Sequence, residues 1–187
     1  MKNNLKLITA ITALSILMFS CRKEIFIESG AGLADWTTNS HSNNVDPNYD
    51  VVFNQSKVHR IDIVFTSSDW NDMQDDLDDV TGGSGGGPGG GGPGGGFSDQ
   101  TPQYFECEFY YNNIEWYNVG VRYKGNSSLT ARNGKLPLRF QFDEFEDTYP
   151  EINNQRFYGF KELAMSSSFK DESLMREKSA SDIFRSF

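Results

Sequence analysis

The sequence predicts an α+β fold, in which packed helices accompany an antiparallel sheet. In one run near the middle of the chain and in several later runs, apolar residues alternate with polar ones, the pattern of strands with one buried face. In two other segments the apolar residues recur every three to four positions, which is typical of amphipathic helices. An Asn112-Asn113 pair between two of the alternating runs predicts a hairpin turn, and therefore antiparallel pairing.

The first strand is predicted over residues 58–65, the segment VHRIDIVF. A short acidic helix is expected directly after it, because Ser67 and Ser68 suit the N-cap position and Asp69 suits the first turn. At helical spacing, the apolar residues of this segment share one face: Trp70, Met73 and Leu77.

The remaining strands are expected in the second half of the chain, at 104–111, 114–124, 136–142 and about 160–165. Cys107 lies in the alternating run YFECEFYY, so we expect its thiol to be buried in the core. The sequence has only two cysteines, which excludes a disulfide scaffold and a cysteine-rich metal cluster. Neither His41 nor His59 has nearby His or Cys partners, so neither is expected to bind a metal.

The last segment, residues 171–187, has a helical pattern. At 100° per residue its apolar face comprises Ala180, Ile183, Phe184 and Phe187. Arg176 projects near the centre of this face, with Glu177 and Ser173 beside it. A buried arginine needs a partner, so Arg176 is expected to meet a carboxylate or a phosphate, or else to extend to solvent at the helix start. Because no Gly or Asn stop signal follows the helix, we expect the chain to continue.

Residues 82–96 form a glycine-rich segment, GGSGGGPGGGGPGGG. No Gly-Lys-[Ser/Thr] sequence follows it, so it does not match a phosphate-binding Walker loop. Ordering so many glycines costs a large amount of backbone entropy, and we therefore expect a disordered insertion.

The N-terminus predicts export. Residues 1–20 are interpreted as a signal peptide, because a basic start precedes an apolar run over residues 7–19 that is too short to span a bilayer. Cys21 directly follows Leu-Met-Phe-Ser, which resembles the lipobox of bacterial lipoproteins. We therefore expect lipidation at Cys21 and a membrane-anchored protein of the bacterial cell envelope. The alternative is an ordinary signal peptide with an incidental cysteine.

Residues 21–50 are polar and lack a sustained period, so they are interpreted as a flexible tether, followed by one domain over residues 51–187. The net charge of −9, without a concentrated basic stretch, argues against nucleic acid as a partner.

Three motifs distinguish the second half of the chain: VGVRYKGNSS at 119–128, GKLPLRFQFD at 134–143 and the helix that begins DESLMREKSASD at 171. In combination and order they resemble the spore coat protein H (CotH) kinase family. The resemblance covers about residues 51–187. It implies a sheet similar to the N-terminal lobe of an atypical protein kinase fold, incomplete at the C-terminus.

Members of this family resemble secretory protein kinases, which use ATP and a divalent metal, Mg or Mn, to phosphorylate serines. For this chain the resemblance implies an exported or surface protein as substrate. The metal-binding and catalytic aspartates of such kinases follow the last helix, so no catalytic residue is expected within residues 1–187, and this fragment alone is expected to be inactive. The alternative function is a non-catalytic envelope or surface module that uses the same scaffold for binding or structure.

Nucleotide phosphates are expected to meet a lysine on or near a strand of the N-terminal lobe. Lys135 is the first choice and Arg139 the second, although either residue is also compatible with a solvated charge on a strand edge. The turn at Asn126, Ser127 and Ser128 offers hydroxyls and backbone donors that suit an anion, or it is simply a turn.

From the last helix, Glu177 is predicted to orient Lys135, with Glu172 as the second choice, and Arg176 is predicted to meet a nucleotide phosphate.

Overall fold

The computed structural model describes residues 28–81, 101–125, 127–130 and 135–186. Five antiparallel strands pair in the order of the sequence: β1 Ile61–Val64, β2 Phe105–Tyr111, β3 Ile114–Tyr123, β4 Leu138–Gln141 and β5 Glu162–Met165. Among the described residues four α-helices accompany this sheet: α1 Thr38–His41, α2 Tyr49–Val52, α3 Ser67–Val80 and α4 Arg176–Arg185. The predicted α+β fold with an antiparallel sheet is therefore confirmed. The predicted insertion at 82–96 and the signal peptide lie outside the described residues.

Helix α3 begins at Ser67, so its N-cap residue is Thr66 and not the predicted Ser67 or Ser68. The Thr66 hydroxyl, rather than that of Ser67, accepts a hydrogen bond from the backbone N–H of Asp69 at 3.1 Å. Met73 and Leu77 are buried as predicted, but Trp70 is 47% exposed. Within the described residues, none of the helices combines the length and hydropathy needed to cross a bilayer.

The predicted hairpin joins β2 and β3. Asn112 and Asn113 both have positive φ, 53° and 64°, as a two-residue type I′ turn requires. A bulge further along shifts the register, so that Trp116 pairs with Phe109 while Val119 pairs with Cys107. Because of this extra residue, Trp116 and Val119 are both fully buried although they are three positions apart.

The core is built mainly from aromatic side chains. Phe142 stacks on Phe157 with ring centroids 5.2 Å apart, and Phe109 meets both rings edge to face. Cys107 is a free, buried thiol, as predicted. Burial raises the pKa of this thiol, because the charged thiolate would be poorly solvated in the core.

The predicted tether is wrong for residues 28–50, because this segment packs against the sheet. The Gly30 N–H donates to the Glu151 carbonyl at 2.6 Å. The Asp35 carboxylate accepts a hydrogen bond from the Glu115 N–H at 2.9 Å. His41 is completely buried at the end of α1. A polar segment without a period can therefore be ordered by partners that lie far away in the sequence.

The predicted burial of the last helix is also wrong. No residue of α4 is buried, and its apolar residues Ile183 and Phe184 are 58% and 82% exposed. The Arg176 side chain is 73% exposed rather than enclosed in an apolar stripe. Helical periodicity identifies residues that share a face, but it does not determine whether another element covers that face.

Candidate functional site

One end of the sheet is marked by three residues aligned across neighbouring strands. Tyr123 at the end of β3 pairs with Leu138 at the start of β4, and Leu138 pairs with Met165 at the end of β5. The described segments that leave or enter the sheet there are therefore neighbours: 124–125, 127–130, 135–137 and 166–177. Of the predicted site residues, Lys135, Ser128, Arg176 and Glu177 all lie in these segments.

The turn after β3 is closed by a glycine. Gly125 has φ +93°, and a Cβ atom added there would lie only 2.4 Å from Ser128 Oγ. The Lys124 N–H donates to the Pro137 carbonyl at 3.0 Å, which holds this turn beside the segment that contains Lys135. Leu129, which follows the turn, is fully buried in the core.

The turn and the neighbouring segment carry groups of the kind that bind anions: the Gly125 backbone, the Ser128 hydroxyl and, two residues before Pro137, Lys135. Asn126 and the Ser127 side chain, which were also predicted to take part, lie outside the described residues and side chains.

Lys135 is exposed and directly precedes Leu136. It forms no ion pair with Glu177, the carboxylate predicted to orient it. Glu177 instead accepts a hydrogen bond from the Ser166 hydroxyl at 2.7 Å, just after β5. The structure thus brings both residues to the same end of the sheet without pairing them.

Arg139 lies within β4 rather than at the sheet end. Its Nε donates to a Glu162 carboxylate oxygen at 2.9 Å, and its Nη2 donates to the same oxygen. Both side chains are 39% exposed, so this ion pair contributes about 0–1 kcal/mol to stability. The surface-charge alternative for Arg139 agrees with this position.

Arg176 is held by the residues before α4. Its Nη1 donates to the Lys170 carbonyl at 3.1 Å, and its Nε lies 3.4 Å from Asp171 Oδ1. Asp171 also accepts hydrogen bonds from the Arg176 N–H at 2.8 Å and from the Ser173 hydroxyl at 2.6 Å. The D-x-S-x-x-R motif is therefore a helix-start structure, and sequence reasoning missed the organising role of Asp171.

A cleft with a volume of about 330 Å³ opens between α3 and this end of the sheet. Its lining residues are Phe65, Trp70, Met73, Gln74, Tyr123, Leu136 and Leu138. At its polar side Gln74 Nε2 donates to the Tyr123 hydroxyl at 2.9 Å. Sequence reasoning did not assign these residues to a site.

Asp143, at the end of the second motif, is buried in a charged cluster. Its Oδ2 accepts a hydrogen bond from Arg156 Nη1 at 2.6 Å and lies 3.2 Å from Lys161 Nζ. The buried Oδ1 has no hydrogen-bond partner among the described residues. Removing Arg156 would leave the buried Asp143 carboxylate without its nearer charged partner, and the loss of one member of a buried ion pair is destabilising.

The described residues do not fit a divalent metal by themselves. In residues 28–81, 101–125, 127–130 and 135–186 there is no group of three or more His, Cys, Asp or Glu side chains that could hold one. Cys21, the predicted lipidation site, is outside these ranges.

Comparison with known families matches a part of the second half of the chain. The family model described as CotH kinase protein matches residues 121–187, the part of the chain that includes Lys135, the Gly125 turn and α4. Comparisons with curated proteins and with solved structures gave no match. The predicted resemblance extends from about residue 51, whereas this match begins at residue 121. Over residues 121–187 the chain is thus similar to the CotH kinase proteins, which confirms for this part of the chain the resemblance predicted from its motifs.

Proposed function

We propose that this chain supplies the nucleotide-binding lobe of a CotH-like protein kinase, which transfers a phosphoryl group from ATP to serines of exported or surface proteins. One observation carries the proposal. The segments around Gly125 and Lys135 meet at one end of the sheet, and both lie within the residues similar to the CotH kinase proteins. In this proposal the five-stranded sheet acts as the N-terminal lobe of a kinase-like fold.

Phosphoryl transfer needs positioning and charge neutralisation more than covalent chemistry from the protein. A bond forms between the serine oxygen and the γ-phosphorus, the bond from that phosphorus to the ADP oxygen breaks, and the hydroxyl proton leaves to a base. Lys135 places a positive charge beside the phosphates, and the Ser128 hydroxyl donates to a phosphate oxygen. A Mg or Mn ion, if bound, would supply further neutralisation of phosphate charge, and in this proposal its ligands and the base lie outside the described residues.

The test is a calorimetric titration of the full-length protein with ATP in the presence of magnesium. We expect Lys135→Ala to weaken binding about tenfold or more, because a charge-assisted contact to phosphate is lost. Lys57→Ala is the matched control, since Lys57 is an exposed lysine before β1, and it should bind ATP like the native protein. Unchanged affinity in Lys135→Ala would remove Lys135 from the site.

A non-catalytic binding module is the second candidate, and the exposed apolar side of α4 favours it. Ile183 and Phe184 present apolar surface that the described residues do not cover. If the native protein binds no ATP in the same titration, this second candidate replaces the kinase proposal.

The proposed location is the bacterial cell envelope, with a lipid on Cys21 as membrane anchor. The support is the signal-like segment that precedes this cysteine. Cys21→Ser should move the protein from the membrane fraction to the soluble fraction, whereas Cys107→Ala, which leaves Cys21 in place, should not. A Cys21→Ser protein that stays with the membrane would contradict the lipid anchor.

A further inference from the structure

We propose that the cleft between α3 and the sheet binds the base of the nucleotide, with Trp70 stacking on it and Gln74 and Tyr123 as its hydrogen-bond partners. This inference rests on the proposed function, because it assumes a nucleotide as the ligand. It extends the site to residues 65–74, which precede the segment similar to the CotH kinase proteins. The base would therefore be recognised in part by α3, which lies outside the part of the chain that holds the phosphates.

The walls of the cleft suit a flat aromatic ligand. Trp70 is 47% exposed and is held edge to face against Phe65, with ring centroids 5.5 Å apart, so its ring is both positioned and accessible. Met73 of the same helix, Leu138 of β4 and Leu136, which precedes that strand, provide further apolar surface. A volume of about 330 Å³ lies within the range of small-molecule sites.

The polar side of the cleft provides one acceptor and one donor. Gln74 uses its amide nitrogen to donate to the Tyr123 hydroxyl at 2.9 Å. Its amide oxygen has no partner among the described residues, and the Tyr123 hydroxyl still has its own proton to donate. The edge of a nucleobase carries donors and acceptors on adjacent atoms, and such an edge pairs with this arrangement.

The position of the phosphate-binding residues determines the orientation of the ligand. Leu136 lines the cleft, and Lys135 directly precedes it in the chain. Tyr123 also lines the cleft and is followed by Lys124 and Gly125, whose added Cβ would lie 3.6 Å from Pro137. Lys124 and Lys135 are therefore the direct chain neighbours of residues that line the cleft. A ligand with a flat base and an anionic tail matches both parts.

The test compares two ligands, ATP and inorganic tripolyphosphate, each titrated with magnesium into the full-length protein. We expect Trp70→Ala to weaken ATP binding about tenfold, in line with the contribution of base stacking on an aromatic side chain, and to leave tripolyphosphate binding within about twofold. Retained tripolyphosphate binding also establishes that the variant is folded. Trp70→Phe, which keeps an aromatic ring, should recover most of the ATP affinity.

Phe184→Ala serves as the matched control, because it removes an 82% exposed aromatic ring from α4, outside the cleft. If Trp70→Ala and Phe184→Ala both bind ATP like the native protein, the base site in the cleft is wrong while the proposed function stands. If the native protein binds neither ligand, both proposals fail. Equal weakening of ATP and tripolyphosphate by Trp70→Ala would also overturn the inference, because a base contact cannot affect a ligand without a base.

Discussion

The imidazole of His41 stacks on the indole of Trp116, with ring centroids 4.6 Å apart and ring planes 17° apart. Both ring nitrogens have partners. Nε2 donates to the Glu115 carbonyl at 2.7 Å, so Nδ1 of the neutral ring accepts a hydrogen bond from the Ser40 hydroxyl at 2.7 Å. These contacts hold residues 28–50 against β3, the central strand of the sheet.

The buried His41 predicts a loss of stability in mild acid. Burial lowers the pKa of His41 from its usual value of 6.5, although the Glu115 carbonyl and the Asp35 charge oppose this effect. Below about pH 6.5 the unfolded state therefore binds more protons than the folded state. The contribution of His41 to stability is fully present above about pH 6.5 and falls as the pH decreases. Urea unfolding at a series of pH values should record this decrease.

The matched variant for this prediction is His41→Gln, which removes the titrating ring. We expect it to lower the free energy of unfolding at neutral pH by about 1–3 kcal/mol, because buried hydrogen bonds are lost. It should also reduce the slope of stability between about pH 5 and pH 7. The same slope in the native protein and the variant would exclude His41 as the source of the pH dependence.

The Gly125 turn makes a second prediction. Gly125→Ala should destabilise the protein, because alanine is strained at φ +93° and its Cβ would contact Ser128 Oγ. Gly32→Ala is the matched control: Gly32 has φ +80°, but an added Cβ would have no atom within 4 Å. The conformational strain alone amounts to about 1–2 kcal/mol, and any larger loss for Gly125→Ala comes from the contact.

Unfolding in urea measures the difference in stability between Gly125→Ala and Gly32→Ala. Titration with ATP measures whether Gly125→Ala also changes the affinity of the site. Combining Gly125→Ala with Ser128→Ala should bring the stability loss down to that of Gly32→Ala. If Gly125→Ala and Gly32→Ala lower the free energy of unfolding equally, the contact with Ser128 does not contribute to the loss.

The third prediction concerns the start of α4. Asp171→Ala should increase amide hydrogen exchange over residues 176–179, because the carboxylate no longer accepts hydrogen bonds from the Ser173 hydroxyl and the Arg176 N–H. Glu172→Ala, at an exposed neighbouring position, should leave the exchange unchanged. Equal protection in the two variants would contradict this role.

Acid should have the same effect as the Asp171→Ala substitution. The hydrogen bond from the Ser173 hydroxyl, with further ones from backbone N–H groups, holds the pKa of Asp171 below its usual value of 3.8. Its contribution is therefore fully present above about pH 4 and is lost as the pH falls through the lowered pKa. In native protein, exchange at the helix start should rise only at that lower pH.

The strands were largely predictable because their information is local. Alternation over residues 136–142 located β4, and the Asn112-Asn113 pair located the turn between β2 and β3 to the residue. The bulge opposite Cys107 was not predicted, because it depends on how the two strands pair and not on either pattern alone.

The candidate site was predictable only in part, for a related reason. Lys135 and Ser128 are close to strand ends that a hairpin-like sheet brings together, and the motif order already indicated them. The sequence did not predict that Glu177 bonds to Ser166 rather than to Lys135, because a long side chain has several partners within reach. The cleft combines α3 with β3 and β4, so no single sequence window contains it.

By itself, the sequence determined the α+β class, the hairpin, the buried Cys107 and the resemblance to the CotH kinase family, because each depends on a short pattern or motif. Only the tertiary structure decided that residues 28–50 pack on the sheet, that α4 leaves its apolar side exposed and that Trp70 faces a cleft beside Lys135. Those outcomes depend on contacts between distant segments. His41 and Glu115, for example, are 74 positions apart, and only the folded chain brings them into contact.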